Sequence, residues 1–534
     1  MSSVRSVLCL IYYYFFYKIL YFVDFFCAEW YHKFYKTKGA VFIMNKKIKA
    51  GIAVAAVGSA VAANLIKAKK FTPPAKEGAP LPEERIDVER YTKNLSDAIK
   101  IKTISNVDED KVDWAAFEEL HKLFEERYPL IHKSLKKEIV GKASLLYTWE
   151  GKNPDLEPIA LLGHQDVVPV SAGTEQDWEH DPFSGDVADG YVWGRGAVDM
   201  KNHVVAVLES VETLLEDGFV PERTVYLCFG HNEEVVASVN NGAKKISALL
   251  ESRGVRLDSV LDEGGAILPI KVPGIIDKNL AGIGIAEKGY CDYQISISAK
   301  GGHSSTPPKH TALGQMADVI KDIENNQFPS EITPVVDGIL DRVGRNTSFL
   351  ARNVLCNIKA LKPALKVVMS NIPAAASFVR TTTAVTMAQG SPQANVLPQK
   401  AAIAVNFRIM PGMTIADVKT HLQKVIKNKN VEIELLGGQE PSNVSPTDSR
   451  AFKAIEDICY RMNNNNVAAP YLVMGGTDAR NYQNICDNVY RYSPFLLPTN
   501  LLTTTHGTNE RIETASFPDA LAFFKRYIKT LASC

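Results

Sequence analysis

The sequence predicts an α/β protein: a mainly parallel sheet flanked by helices, with a smaller α+β unit inserted into it. Three observations carry that expectation. Short apolar runs at 159–162, 224–230 and 259–261 alternate with segments whose apolar residues recur at helical spacing, the order of a parallel sheet covered on both faces. Beyond Lys288 the character changes, because 290–298 alternates with period two and strand, helix, strand, helix, strand follow with one apolar face. At 534 residues, finally, the chain exceeds a single ordinary core. The expected division is 1–82 as leader and linker, 83–286 as the first part of the larger domain, 287–440 as the insertion and 441–534 as the second part of the larger domain.

The first segments are apolar but distinct from the globular pattern. Residues 7–27 are aromatic-rich, interrupted by Lys18 and Asp24, which a lipid-spanning helix accommodates poorly. Met44 offers an alternative start. From there a basic lead-in, 45–49, precedes the Ala/Gly/Val-rich run 50–66, which reads as a signal or signal-anchor, with Ala60-Val61-Ala62 as a cleavage site. Lysines on both sides leave its orientation unset. Residues 71–82 read as a linker. Sequons at Asn94, Asn346 and Asn443 join this run in pointing to a glycoprotein of the secretory pathway, membrane-anchored or secreted.

Residues 90–130 follow a helical pattern, and 143–149 reads as a strand. The run 159–162 then delivers His164 and Asp166 at its end, with one residue between them. A histidine can offer one ring nitrogen to a metal while a carboxylate holds the other, so this pair suits a ligand and its support. Asp199 stands just before a helix whose apolar residues run from Val204 to Leu215. Glu233 and Glu234 follow the strand 224–230, 242–252 is helical, and Asp262 and Glu263 follow the run 259–261. Ligand sites in such sheets gather at the carboxyl ends of strands, where all these residues fall. In the insertion, helices are expected over 311–325 and after Thr414, with Asp417 completing a capping box, and strands over 401–408 and 431–436. No pattern places 328–388.

Composition narrows the function. Lys+Arg and Asp+Glu each number 60, and no long basic block occurs, which argues against nucleic acid and for a small-molecule partner. Eight cysteines without a CxxC pair form neither a zinc-ribbon spacing nor a dense disulfide framework.

Ten ordered motifs, LLGHQDVVPV, DPFSG, WGRGAVDMK, FGHNEEV, LDEGG, GIAEKGY, GGHSSTPP, NFRIMPG, MGGTDAR and HGTNE, resemble the two-zinc aminoacylase, glutamate carboxypeptidase and carboxypeptidase S family. Within it they are most similar to carboxypeptidase S and the N-fatty-acyl-amino-acid synthase/hydrolases. The resemblance implies a zinc-exopeptidase catalytic domain with a ferredoxin-like lid and dimerisation domain. By it, His164 and Asp262 hold one zinc, Glu234 and His506 the other, and Asp199 bridges, with Glu263 a rival to Asp262. Glu233 matches the general base, His303 a histidine that stabilises the oxyanion, in several relatives from the partner subunit of a homodimer, and Arg408 the arginine that binds the substrate carboxylate. Imidazole and carboxylate ligands without cysteine suit such a hydrolytic site. The implied reaction is hydrolysis of the C-terminal amide of a small peptide or N-acyl amino acid, with fatty-acyl substrates as the alternative. A catalytically inactive, membrane-tethered binding protein would have lost Glu233 or a ligand, and neither is lost. Asn232 and residues 235–241 depart from the family pattern beside the site, which bears on substrate preference.

Overall fold

The computed structural model describes residues 59, 61–73, 81–235 and 240–533. The aromatic stretch 7–27 and the apolar run up to residue 58 lie outside them. Strand Ile159–His164 is buried at all six positions and pairs in parallel with Val225–Gly230 on one side and Ser259–Asp262 on the other. Val489–Arg491 continues the parallel order beyond Ser259–Asp262. A strand buried on both faces cannot alternate polar and apolar residues, which is why these runs read as continuous hydrophobic segments. Ile159 and Leu161 enter one core, whereas Ala160 and Leu162 enter another on the opposite face.

Helices Lys201–Glu216, Val88–Lys100 and Phe517–Ala532 pack over the first of those faces, and Gly242–Ser252 over the second. The sheet reaches nine strands through antiparallel additions, so it is mixed with a parallel centre. One addition, Lys136–Val140, escapes sequence reading because its residues are half-buried or exposed and mostly charged. Only its pairing with Ser144–Trp149 makes it a strand. The helical stretch 90–130 divides after Lys100 and restarts at Trp114, where Asp113 accepts from Ala115 N and caps a second helix, Trp114–Arg127.

The insertion forms a four-stranded antiparallel sheet in the order Thr382–Gln389, Lys400–Ile409, Gly289–Ser298, Val431–Gln439. Helices Ala312–Asn325 and Ile415–Val425 pack on it, and Ile295, Val319, Phe407 and Leu422 are buried in its own core. Thr414 and Asp417 make the capping box. The stretch that no pattern places supplies the edge strand Thr382–Gln389 and four helices: Pro334–Arg345, Phe349–Leu355, Ile358–Ser370 and Pro373–Val379. Few of their residues are buried and Pro363 sits inside one helix, so apolar residues recur at helical spacing without marking a buried face.

Residues 61–70 are helical and rest against these helices, with Asn64 Nδ2 3.1 Å from Asn353 O and Lys67 Nζ 2.8 Å from Asn357 Oδ1. Among the described residues no helix is long and apolar enough to cross a membrane. Of the sequon asparagines, Asn94 is buried and donates to Tyr128 Oη (3.2 Å), and Asn346 donates to Arg342 O (2.9 Å). Only Asn443 is exposed.

The chain passes from the large sheet to the small one through Glu287. Its buried carboxylate accepts from Arg491 Nε (2.6 Å), Arg480 Nε (2.7 Å) and Thr477 Oγ1 (2.7 Å), and its amide donates to Ser442 Oγ in the loop that returns from the insertion (2.7 Å). Burial alone would raise its pKa, yet Arg491 and Arg480 outweigh burial and hold it below the usual range. Glu287→Ala would strand two guanidinium groups in the interior and is expected to cost on the order of 3–5 kcal/mol. Urea unfolding checks this, and an unchanged midpoint would contradict it.

Candidate metal centre

Parallel strands deliver the acidic groups to one place. His164 ends its strand, Asp199 precedes helix Lys201–Glu216, Glu233 and Glu234 follow Val225–Gly230, and Glu263 follows Ser259–Asp262. His506 arrives from a turn in which Gly507 N donates to Thr504 O (2.8 Å). Its φ of 58° lies in the left-handed region, which costs a non-glycine residue about 1–3 kcal/mol and persists only where surrounding structure holds it.

Asp199 divides its carboxylate between the two histidines. Oδ1 lies 3.1 Å from His164 Nε2, and Oδ2 lies 3.0 Å from His506 Nε2. Glu263 Oε1 is 3.2 Å from His164 Nε2, and Glu234 Oε2 is 3.0 Å from His506 Nε2. Donor atoms of His164, Asp199 and Glu234 lie within 4.8 Å of one another, as do those of His164, Glu233 and Glu263.

Supporting groups fix the loops. Asp166 stands 3.4 Å from His164 Nδ1 through Oδ1, while its two oxygens accept the amides of Glu233 and Glu234, each at 3.1 Å. It therefore sets one ring and one acidic loop together. Glu510 is the residue that sequence reading missed. Buried and paired with Arg195, it accepts from the amides of Gly196 (3.0 Å), Val198 (2.9 Å) and Asp199 (3.2 Å). It ends the HGTNE motif and Arg195 lies in WGRGAVDMK, so the signal was present without a role attached.

Asp262 departs from the expected ligand set. Its Oδ2 accepts from Ala479 N (2.7 Å) and its Oδ1 from Glu263 N (2.9 Å), so both oxygens serve backbone amides while Glu263 faces His164. His303 also stands apart. It is exposed on the short strand Gly302–His303, with Nδ1 2.8 Å from Ser305 Oγ, and lines neither cavity described below.

Electrostatics show what the cluster lacks. Four carboxylates, those of Asp199, Glu233, Glu234 and Glu263, meet two imidazoles at a largely buried position. Burial and then the Asp199 charge push Glu263 up to about 8, and burial pushes Glu233 well above the usual carboxylate range. Hydrogen bonds to Asp199 and Glu234 push His506 up to about 10. Carboxylates gathered this closely keep their charge only beside a cation, and imidazole with carboxylate suits zinc. The donor set therefore fits a metal centre.

Two cavities meet this cluster. One, about 220 Å³, is lined by Glu233, Lys288, Tyr290, Arg408 and Arg480. Arg408 lies on strand Lys400–Ile409 with its guanidinium 5.8 Å from the Tyr290 ring centroid, and burial, then Arg408, brings Lys288 down to about 8. The other, about 180 Å³, opens beside Asp199 and Glu263 and is walled largely by apolar side chains.

Comparison with known proteins identifies the family. The family model described as peptidase family M20/M25/M40 matches residues 160–530. The chain is 36% identical to a probable carboxypeptidase S-like 2 of Dictyostelium discoideum over 83% of this chain and 85% of that protein. It is 34% identical to carboxypeptidase S of Saccharomyces cerevisiae (81% and 83% covered) and 33% identical to the N-fatty-acyl-amino acid synthase/hydrolase PM20D1 of Mus musculus (84% and 88%). Its fold is similar to that of the M20 family metallo-carboxypeptidase Sso-CP2 from Sulfolobus solfataricus, with a TM-score of 0.60 at 18% identity, covering 83% of this chain and 99% of that one. With the fold, the site and these relatives in agreement, the chain belongs to peptidase family M20/M25/M40 and is a metallopeptidase-type hydrolase.

Proposed function

We propose that this protein is a zinc-dependent hydrolase that cleaves the C-terminal amide bond of a small peptide or an N-acyl amino acid and releases a free amino acid. The observation that carries this reading is the sharing of Asp199 between His164 and His506, with Glu233 beside them and a cationic cavity adjoining. His164 and Glu263 would hold one zinc, His506 and Glu234 the second, and Asp199 both. Zinc bound there would lower the pKa of water and polarise the scissile carbonyl.

The chain's own groups do the remaining work. Glu233, half-buried beside His164, accepts a proton from water on a carboxylate oxygen and passes it to the departing amine. The Arg408 guanidinium, with five donors in a planar fork, grips the substrate carboxylate through both oxygens, and Lys288 adds positive charge to the same cavity.

Metal analysis tests the reading first. Purified protein is expected to hold about two zinc ions per chain, and His506→Ala to lose metal and turnover together. Because the metal-free imidazole of His506 is pushed up to about 10, binding must displace protons, so zinc affinity rises with pH. Chelator competition at two pH values measures this, and an affinity independent of pH would contradict it.

Glu233→Gln is expected to keep the metal while lowering kcat at least ~10²-fold, the usual contribution of a general base. Metal content and turnover measured on one preparation decide it, and near-normal turnover removes Glu233 from the reaction.

Arg408→Ala is expected to raise KM for acids and to abolish the preference for a free carboxylate over its amide. Paired assays of an N-acyl amino acid and its amidated analogue read this directly. An unchanged ratio would reject the assignment.

A further inference from the structure

The two cavities differ in chemistry, and the acidic cluster borders both, through Glu233 in one and Asp199 and Glu263 in the other. A substrate whose carboxylate is held at Arg408 and whose scissile amide lies at Glu233 and Glu263 must send its acyl portion away from Arg408. The space open to it there is the cavity beside Asp199 and Glu263, walled by Leu268, Tyr471, Phe495, Leu497 and Leu502. Of its polar wall groups, the Ser493 hydroxyl is already engaged by His203 Nδ1 at 2.7 Å. Glycines let the backbone of this wall pack closely. A Cβ on Gly265 would stand 2.2 Å from Gly282 O, and one on Gly282 would crowd the Tyr471 ring at 3.3 Å. The walls are also fixed from behind, since Tyr471 packs edge-on against Phe378 and Phe495 against Phe517, while Leu502 stands partly exposed.

Volume sets the limit. An apolar cavity of roughly 150 Å³ accepts a benzene molecule. At about 180 Å³ this one takes a ring or a branched aliphatic group, and it is too small to enclose a long fatty chain.

Building on the proposed hydrolase reading, we propose that this cavity is the acyl subsite and selects apolar acyl groups of phenyl or isobutyl size. The substrates it favours are therefore peptides with an apolar residue before the scissile bond and N-acyl amino acids with short apolar acyl groups. Long-chain N-fatty-acyl amino acids fit it poorly.

The test uses zinc-loaded full-length protein and acetyl, 4-methylpentanoyl, phenylacetyl and palmitoyl derivatives of one amino acid. In the wild type, kcat/KM is expected to be at least ~10-fold higher for phenylacetyl and 4-methylpentanoyl than for acetyl, as burial of several apolar carbons implies, and to fall again for palmitoyl. Leu502→Trp should lower kcat/KM for phenylacetyl and 4-methylpentanoyl at least ~10-fold more than for acetyl, and an unchanged unfolding midpoint shows that the variant folds. Leu268→Ala, which widens the cavity, should shift the preference toward the longer chain. Equal rates for all acyl groups, or palmitoyl preferred and unaffected by either variant, would overturn the subsite while leaving the hydrolase reading intact. No hydrolysis of any of the four, nor of a dipeptide panel, would overturn both.

Discussion

Asp199 is the group on which the rest of the centre depends, because it alone faces both histidines. Its two oxygens point in different directions, so the residue must be held by something other than its own side-chain contacts. Glu510 does this by accepting the Asp199 amide and two amides just before it, while Arg195 neutralises Glu510. A buried carboxylate with three amide donors and a guanidinium is fully satisfied, so it can serve as a rigid post. The same device recurs twice nearby. Asp166 accepts the amides of Glu233 and Glu234, and Asp262 accepts those of Glu263 and Ala479. Three carboxylates that contact backbone thus place the acids that face the histidines. Loops after strands would otherwise vary in position by more than a metal centre tolerates.

That arrangement explains why some of the site was legible and some was not. Buried parallel strands announce themselves as apolar runs, so 159–162, 224–230 and 259–261 locate the strand ends, and the acids and His164 follow from them. The choice between Asp262 and Glu263 is different in kind. Adjacent residues at a strand end point to opposite faces, and only the pairing of Asp262 with Arg491 in the neighbouring strand fixes which one remains in the ladder. Nothing local to LDEGG encodes that partner. The edge strand Lys136–Val140 and the helices between 334 and 379 fail for a related reason, since both are held by contacts along one side and carry little periodic burial. His303 was read through its motif alone, and a motif does not say whether its loop reaches the centre of its own chain.

The linkage between the two sheets obeys the same economy of charge. Lys288 and Gly289 join them directly, and the adjoining Glu287 is fixed by two arginines from the large sheet side while its amide is tied to Ser442 on the return path. Arg480 also donates to Lys288 O (3.3 Å), and Lys288 Nζ donates to Ser377 O (3.0 Å) and Arg380 O (2.9 Å) in the inserted helical segment. The crossover thus couples the metal-bearing loops, the cationic cavity and the insertion through contiguous polar contacts. Arg408, carried by the small sheet, therefore has a defined position relative to Glu233, carried by the large one.

Such a division of labour has a consequence for selectivity. In the proposed reading charge recognition falls to Arg408 of the inserted sheet, whereas the apolar cavity is walled by residues of the large-sheet body, close to Asp199 and Glu263. Changes confined to Leu268, Leu497 or Leu502 alter the shape of that cavity without touching Glu510, which accepts the amides of Gly196, Val198 and Asp199. Hydrophobic contacts grow with buried area and tolerate gradual change, while the carboxylate contacts at the metal site are lost outright when one partner is removed. Such changes can alter the shape of the cavity while leaving the histidines and acids in place, and identities of 33% to 36% to the three relatives compared leave room for them.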